Sequence, residues 1–373
     1  MQVTGLTSGV EAIAVGSITA CALVGGGVQC WGANGNGEIG NHTTTDSAVP
    51  TPTSGPAQRD AMTGATLAGM TRGRRALALA AACLATVCAA ALAVAQGAPD
   101  ALRSRIAPPD EEVLQAYRDS GVPNPTVHTL TDDEWAKVDA AIGALPALHR
   151  RVLQQHLRRL SFVDVPPGGG NALTRVVDLK AAQKQFDITF RAGLLHETLT
   201  EFLDGKESGV FEHDRSGQTV TIEAGDSSAL AYVLLHEATH AVDATLGIST
   251  TPNSRFQAGI WLDRTRLAPP YDRSMIQSTA FRRGPRTPLA RAQALYQALS
   301  RTPFVSLYAT AATGEDLAEL VAWEQLATQR HQSLAIIVKD ARGKVAYRYE
   351  PLQSSRVRSR FPAVEELLAR RDG

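Results

Sequence analysis

Two histidines and a glutamate within five residues are the densest chemistry in this chain of 373 residues. In the run AYVLLHEATHAVDATLG, His236 and His240 stand four residues apart. On a helix that spacing sets them one turn apart on one face. Two imidazoles so placed can converge on a single Zn²⁺. Glu237 sits beside them, close enough to reach a metal-bound water and take its proton once the metal has lowered its pKa towards neutrality. Five residues thus supply two ligands and a general base. The competing reading is a pair of core histidines on a buried helix. Burying two imidazoles and a carboxylate without a shared partner is costly, which favours the metal.

Zinc needs a third protein ligand. A further histidine at position 246 is absent, because that residue is Leu246. No cysteine follows Cys88, so the ligand must be a histidine or a carboxylate. The segment Gly314-Glu315-Asp316-Leu317-Ala318-Glu319-Leu320 sets two glutamates four apart on a predicted helix. Such a pair can serve as ligand and as outer partner for a metal-bound imidazole. Of the two, Glu315 is preferred as the ligand and Glu319 as the outer carboxylate. The plainer alternative is an acidic turn at a helix N-terminus, where both Glu315 and Asp316 suit the dipole. Asp243 falls seven residues after His236 on the same face. Three ligands from one straight helix give poor tetrahedral geometry, so Asp243 is read as an outer or structural partner.

The elements that must position these groups follow from pattern. A long helix from Ser228 to Leu246 has N-cap candidates in Asp226, Ser227 and Ser228 and a stop in Gly247. TVTIEA at 219–224 alternates strictly and reads as an edge strand along which an extended peptide would lie. Strands are also expected at 162–165, 173–179 and 186–191, and a helix at 192–203. Thr131 and Glu134 form a capping box opening a helix with Trp135, Val138 and Ile142 on one face. Pro146 starts a second helix with Leu148, Val152, Leu153, Leu157 and Leu160 at helical spacing. Helices are expected at 288–300, 315–330 and 363–371, and the Pro-punctuated stretch 96–128 reads as extended. The order predicts an α+β fold with a small mixed sheet and a mainly helical C-terminal half, not a doubly wound sheet.

The N-terminal quarter is unlike the rest. Residues 70–95 carry Arg72, Arg74 and Arg75, then an apolar run ending in Ala93-Val94-Ala95. This is the layout of a secretory signal peptide, with an uncleaved membrane span as the alternative. Its position makes Met70 a candidate start and predicts export. Residues 1–50 resemble one repeat of the chromosome-condensation-regulator type of β-propeller through Trp31-Gly32, Asn34, Gly37 and Ile39-Gly40. One blade cannot close a ring, so this piece is expected to be functionally silent. Residues 51–69 read as a linker. Lys plus Arg and Asp plus Glu number 37 each. That balance argues against a nucleic-acid partner found by bulk charge; the expected partner is a peptide or protein substrate, and the expected state a monomer.

HEATHAVD, Tyr308 and Glu315-x-x-Ala318-Glu319 together resemble the catalytic domain of anthrax lethal factor-like metallopeptidases and the related secreted Pro-Pro endopeptidases, from about residue 186 to 325. The resemblance implies a zincin domain, of the gluzincin kind, over 129–373. It implies zinc held by His236, His240 and Glu315, with Glu237 as general base. It also implies that Tyr308 faces the metal and stabilises the oxyanion. Nothing matches a toxin's targeting domains. The expected function is zinc-dependent endopeptidase. A non-catalytic, zincin-derived envelope binding protein is the alternative, against which the intact Glu237 argues.

Overall fold

The computed structural model describes residues 5–53, apart from 7–9, 16–18, 25–26, 35–38, 40, 42 and 44, and residues 101–370, apart from 167–169, 178–183 and 252–253. The signal-peptide segment 70–95, most of the linker and propeller-repeat positions Gly37 and Gly40 lie outside the described residues. Among the described residues, no helix is long and apolar enough to cross a membrane. The chain divides into two compact units.

The first unit is an antiparallel meander in the order β1 (Val10–Val15), β2 (Thr19–Val24), β3 (Gly27–Gly32) and β4 (Ser47–Pro52). Strand β4 runs to Pro52, so the expected linker begins later than residue 51. Cys21 and Cys30 face each other across β2 and β3 and form a disulfide. Asn34, fully buried, accepts from the Ile39 amide and donates to the Thr43 and Thr45 carbonyls, shaping the loop before β4.

The second unit is α+β. It opens with α1 (Glu111–Asp119), where 96–128 was expected to be extended. The reason is tertiary. Val113, Leu114 and Tyr117 lie on one helical face and pack with Val122 against Val163. There follow β5 (Thr126–Val127), α2 (Asp132–Gly143) with its capping box as predicted, and α3 (Ala147–His156). Strand β6 (Leu157–Asp164) starts where the helical spacing was expected to continue. Leu157 and Leu160 are buried as predicted, but in a strand that pairs parallel to the wholly buried β8. Non-local pairing has overridden local period there.

Strands β7 (Ala172–Val176) and β8 (Phe186–Arg191) complete a mixed sheet of order β5-β6-β8-β7, leaving β7 at an edge. The predicted helix at 192–203 is split. A single turn covers 192–195, and α4 (Leu199–Ser208) begins at a second capping box, Thr198 with Glu201. Then come β9 (Phe211–Glu212), β10 (Thr219–Glu223), α5 (Ala229–Leu246), β11 (Thr287–Pro288), α6 (Ala292–Leu299) and α7 (Thr313–Arg330). A hairpin of β12 (Ala335–Lys339) and β13 (Val345–Tyr349) follows, then α8 (Ser355–Arg358) and α9 (Phe361–Leu368). The hairpin interrupts the C-terminal half that was expected to be helical. It supplies β10 with its partner, in an antiparallel sheet of order β10-β12-β13.

Helix α5 is the axis of this unit. It is apolar nearly all round, which is the pattern of a helix buried on every side. It packs among α2, α3, α7 and β7. Ser228 stands at its N-terminal boundary without a side-chain hydrogen bond to the helix, and Gly247 ends it in the left-handed region (φ 67°), with its N–H on the Asp243 carbonyl. That conformation suits glycine, which has no Cβ to clash. Helix α7 lies against α5 and starts with Glu315 and Asp316 in its first turn. Asp316 is fully buried. It accepts from both Arg360 terminal nitrogens at 2.7 Å and from Trp261 Nε1 at 2.8 Å, which pins the start of α7.

Candidate metal centre

The helical period sets His236 and His240 on one face of α5, with ring centroids 4.9 Å apart. Packing of α7 brings Glu315 to them. Its Oε2 lies 3.1 Å from His236 Nε2 and 3.5 Å from His240 Nε2. One ligand atom from each of the three residues lies within 4.8 Å of the others, and among the described residues this is the single such group of histidines, cysteines and acids. Two imidazoles and a carboxylate form a donor set that zinc takes in catalytic sites, where a fourth position is left for water or substrate. The residues present fit the metal.

Glu319 stands one turn further along α7 and is buried. Its Oε1 lies 3.3 Å from His236 Nδ1, an ion-pair distance at an angle that misses a hydrogen bond. The carboxylate also accepts from Tyr232 Oη and from Ser306 Oγ (2.6 Å), and Lys206 Nζ is 3.4 Å away. A metal-bound imidazole commonly has a carboxylate at its other nitrogen, which fixes the tautomer. Glu319 occupies that place, and Glu315 the place of the ligand. These positions accord with the preference for Glu315 as ligand and Glu319 as outer carboxylate.

The electrostatics agree with a charged, buried cluster. Burial lowers the His236 pKa, but Glu315 and Glu319 more than offset this and raise it to about 9 without metal. Burial raises Glu319, yet the Lys206 ammonium, His236 and the Ser306 hydroxyl together hold it at about 2. Glu315 likewise ends well below the ordinary carboxylate value, with both imidazoles outweighing burial.

Glu237 points to β7. Thr174 Oγ1 donates to its Oε2 at 2.6 Å. The strand beside the candidate base is therefore β7, whereas the predicted peptide-bearing strand, 219–224, is an edge of the other sheet. Tyr308 lies in a turn before α7, its ring 5.9 Å from that of His236. Lys206 Nζ sits 3.5 Å from the Tyr308 ring centroid, and Phe281 packs edge-on at 5.1 Å. Burial first, and then the negative charges of Glu315 and Glu237, push the Tyr308 hydroxyl well above its usual pKa, so it remains a proton donor.

Asp243 is structural. It accepts from the Ser249 N–H at 2.7 Å and from the Ser249 hydroxyl, fixing the turn after α5. Several contributors were not read from sequence: Thr174, Lys206, Tyr232, Ser306 and Tyr117. Burial, followed by the charge of Glu237, raises the Tyr117 hydroxyl to about 12. Thr174, Lys206 and Tyr117 come from elements far along the chain, where no local spacing marks them, whereas Tyr232 stands one turn before His236 on α5 itself and Ser306 two residues before Tyr308. Beside the histidine face of α5, the buried His149 Nε2 lies 2.9 Å from Thr239 Oγ1, whose own proton goes to the Leu235 carbonyl. Comparison of the chain with family models, with curated proteins and with solved structures finds no match.

Proposed function

We propose that the second unit is a zinc-dependent endopeptidase of the zincin type, exported as the sequence of residues 70–95 suggests. One observation carries the reading: His236, His240 and Glu315 come within 4.8 Å at their ligand atoms, with Glu237 next to the first of them on α5. In this reading His236, His240 and Glu315 hold the metal, and Glu319 fixes the His236 ring from behind. When bound, zinc polarises a carbonyl and lowers the pKa of water towards neutrality.

The chain's own residues do the rest. Glu237 takes the proton from the attacking water and returns it to the leaving amine. Thr174 holds one of its oxygens, which leaves the other to face the water. Tyr308 donates its hydroxyl proton in a hydrogen bond to the developing oxyanion. Strand β7, an edge of its sheet among the described residues, offers backbone groups with which an extended peptide can pair.

The test is zinc content and peptide hydrolysis of the purified full chain beside Glu237→Gln. We predict about one zinc per chain in both and hydrolysis only in the unaltered protein. Hydrolysis retained by Glu237→Gln would remove the base assignment. Zinc bound with no hydrolysis of any peptide would pass the reading to a non-catalytic binding protein.

A further inference from the structure

The candidate centre opens on one side into a cavity of about 350 Å³, bounded by Tyr308 and Glu315 at its inner end. Its outer wall is unusually cationic. Arg266, Arg282 and Arg283 all line it, and Glu315 is the single acid among its described lining residues. That carboxylate is already turned to the two imidazoles.

Arg282 is the centre of this charge. Its guanidinium donates to the main-chain carbonyls of Thr310, Thr265 (2.7 Å) and Gln277 (3.3 Å), with Ala311 O at 3.5 Å. Carbonyl dipoles solvate a cation without neutralising it. Among the described residues, no carboxylate lies within ion-pair distance of Arg282. Burial lowers its pKa, the expected sign for a cation held without a counter-ion. Most of its five donors are engaged, so what it offers the cavity is chiefly charge. Its neighbours add to that charge. Arg266, which meets Asp263 through its Nε, and the exposed Arg283 line the same wall. Phe281 packs against Tyr308 and gives the inner wall an apolar face.

We infer that this cavity is a subsite for a carboxylate of the peptide substrate, supplied by an Asp or Glu side chain or by a free C-terminus. Planar guanidiniums match carboxylates in geometry as well as charge, and an empty cationic pocket beside the scissile position gains most from an anion. The inference rests on reading the centre as a peptidase and adds the substrate class to it.

Binding can be measured apart from turnover, using fluorescence anisotropy with full-length protein carrying Glu237→Gln. The probes are labelled peptides of one backbone. A neutral, C-terminally amidated member is compared with members carrying Glu at successive positions and with the neutral peptide bearing a free carboxylate. At least one acidic member should bind about tenfold more tightly than its neutral twin, as for a hydrogen bond to a charged group. Which member gains tells a side chain from a C-terminus. Arg282→Gln should reduce that preference to a few-fold and leave the neutral peptide's affinity in place. Because Arg282 also ties three segments together, Arg283→Gln, at an exposed side chain, is the second variant, with the same direction expected. Equal affinities across the set, or no binding by any member, would overturn the subsite. Hydrolysis by the unaltered chain without acid preference refutes the subsite alone. Acid preference in binding without any hydrolysis refutes the peptidase reading alone.

Discussion

Exchanging Glu315 or Glu319 of α7 for glutamine separates ligand from outer partner. Glu315 Oε2 touches the Nε2 of both histidines, at 3.1 and 3.5 Å. Glu319 reaches one imidazole, at Nδ1 and 3.3 Å. Outer carboxylates are worth about 10–100-fold in metal affinity, or about 1.4–2.7 kcal/mol. Glu319→Gln should therefore weaken zinc binding within that range. Glu315→Gln removes the one anionic ligand and should weaken it by more than about 100-fold. The variants differ in stability too. Glu319 is the acceptor for Tyr232 and Ser306 and the counter-ion of Lys206, so Glu319→Gln should lower the melting temperature of the metal-free protein. The assay is competition for zinc against a chelating indicator at fixed pH, with unfolding followed in parallel. A larger loss of affinity in Glu319→Gln than in Glu315→Gln would reverse the two roles. Unchanged affinity in both would place the metal elsewhere.

Three further outcomes are expected. Tyr308→Phe keeps the ring contacts with His236, Lys206 and Phe281 and removes one oxyanion donor, so turnover should fall about 100-fold with zinc content unchanged; equal turnover would leave the tyrosine a packing residue. Burial holds His149 at about 3 when folded, against an ordinary 6.5, so between those values the unfolded chain binds the extra proton and stability falls as pH falls. Relative to His149→Gln, the wild type should lose about 2 kcal/mol between pH 6.5 and 5; parallel denaturant midpoints at both pH values would refute this. Arg360→Met leaves the buried Asp316 charge without its partner and should cost about 3–5 kcal/mol; a denaturation shift under about 1 kcal/mol would mean that the ion pair does not pin α7.

Local spacing alone determined one half of the candidate centre. His236, Glu237 and His240 share a helical turn whatever surrounds them, because the period of the helix is fixed by its own hydrogen bonds. The same holds for the capping box at Thr131 and for the stop at Gly247, whereas the second box at Thr198 falls inside the stretch expected to run on as one helix from 192 to 203. The Thr131 box and the Gly247 stop are both local: a side chain satisfying backbone groups within four residues at the one, and a residue without Cβ free to turn left-handed at the other. The other half was decided by tertiary structure. Glu315 lies 79 residues from His236, Thr174 lies 63 from Glu237, and Lys206 lies 113 from Glu319. Glu315 could be nominated from its pairing with Glu319, but the choice between them depended on where α7 meets α5. The strand beside the candidate base Glu237 is β7, and not β10, because β10 pairs in a separate sheet with a hairpin at 335–349. Leu157 and Leu160 passed from helix to strand, and residues 111–119 from extended chain to helix, for a related reason. An apolar residue in sequence specifies burial, while the element it is buried in is set by the partner that covers it, and that partner comes from elsewhere in the chain.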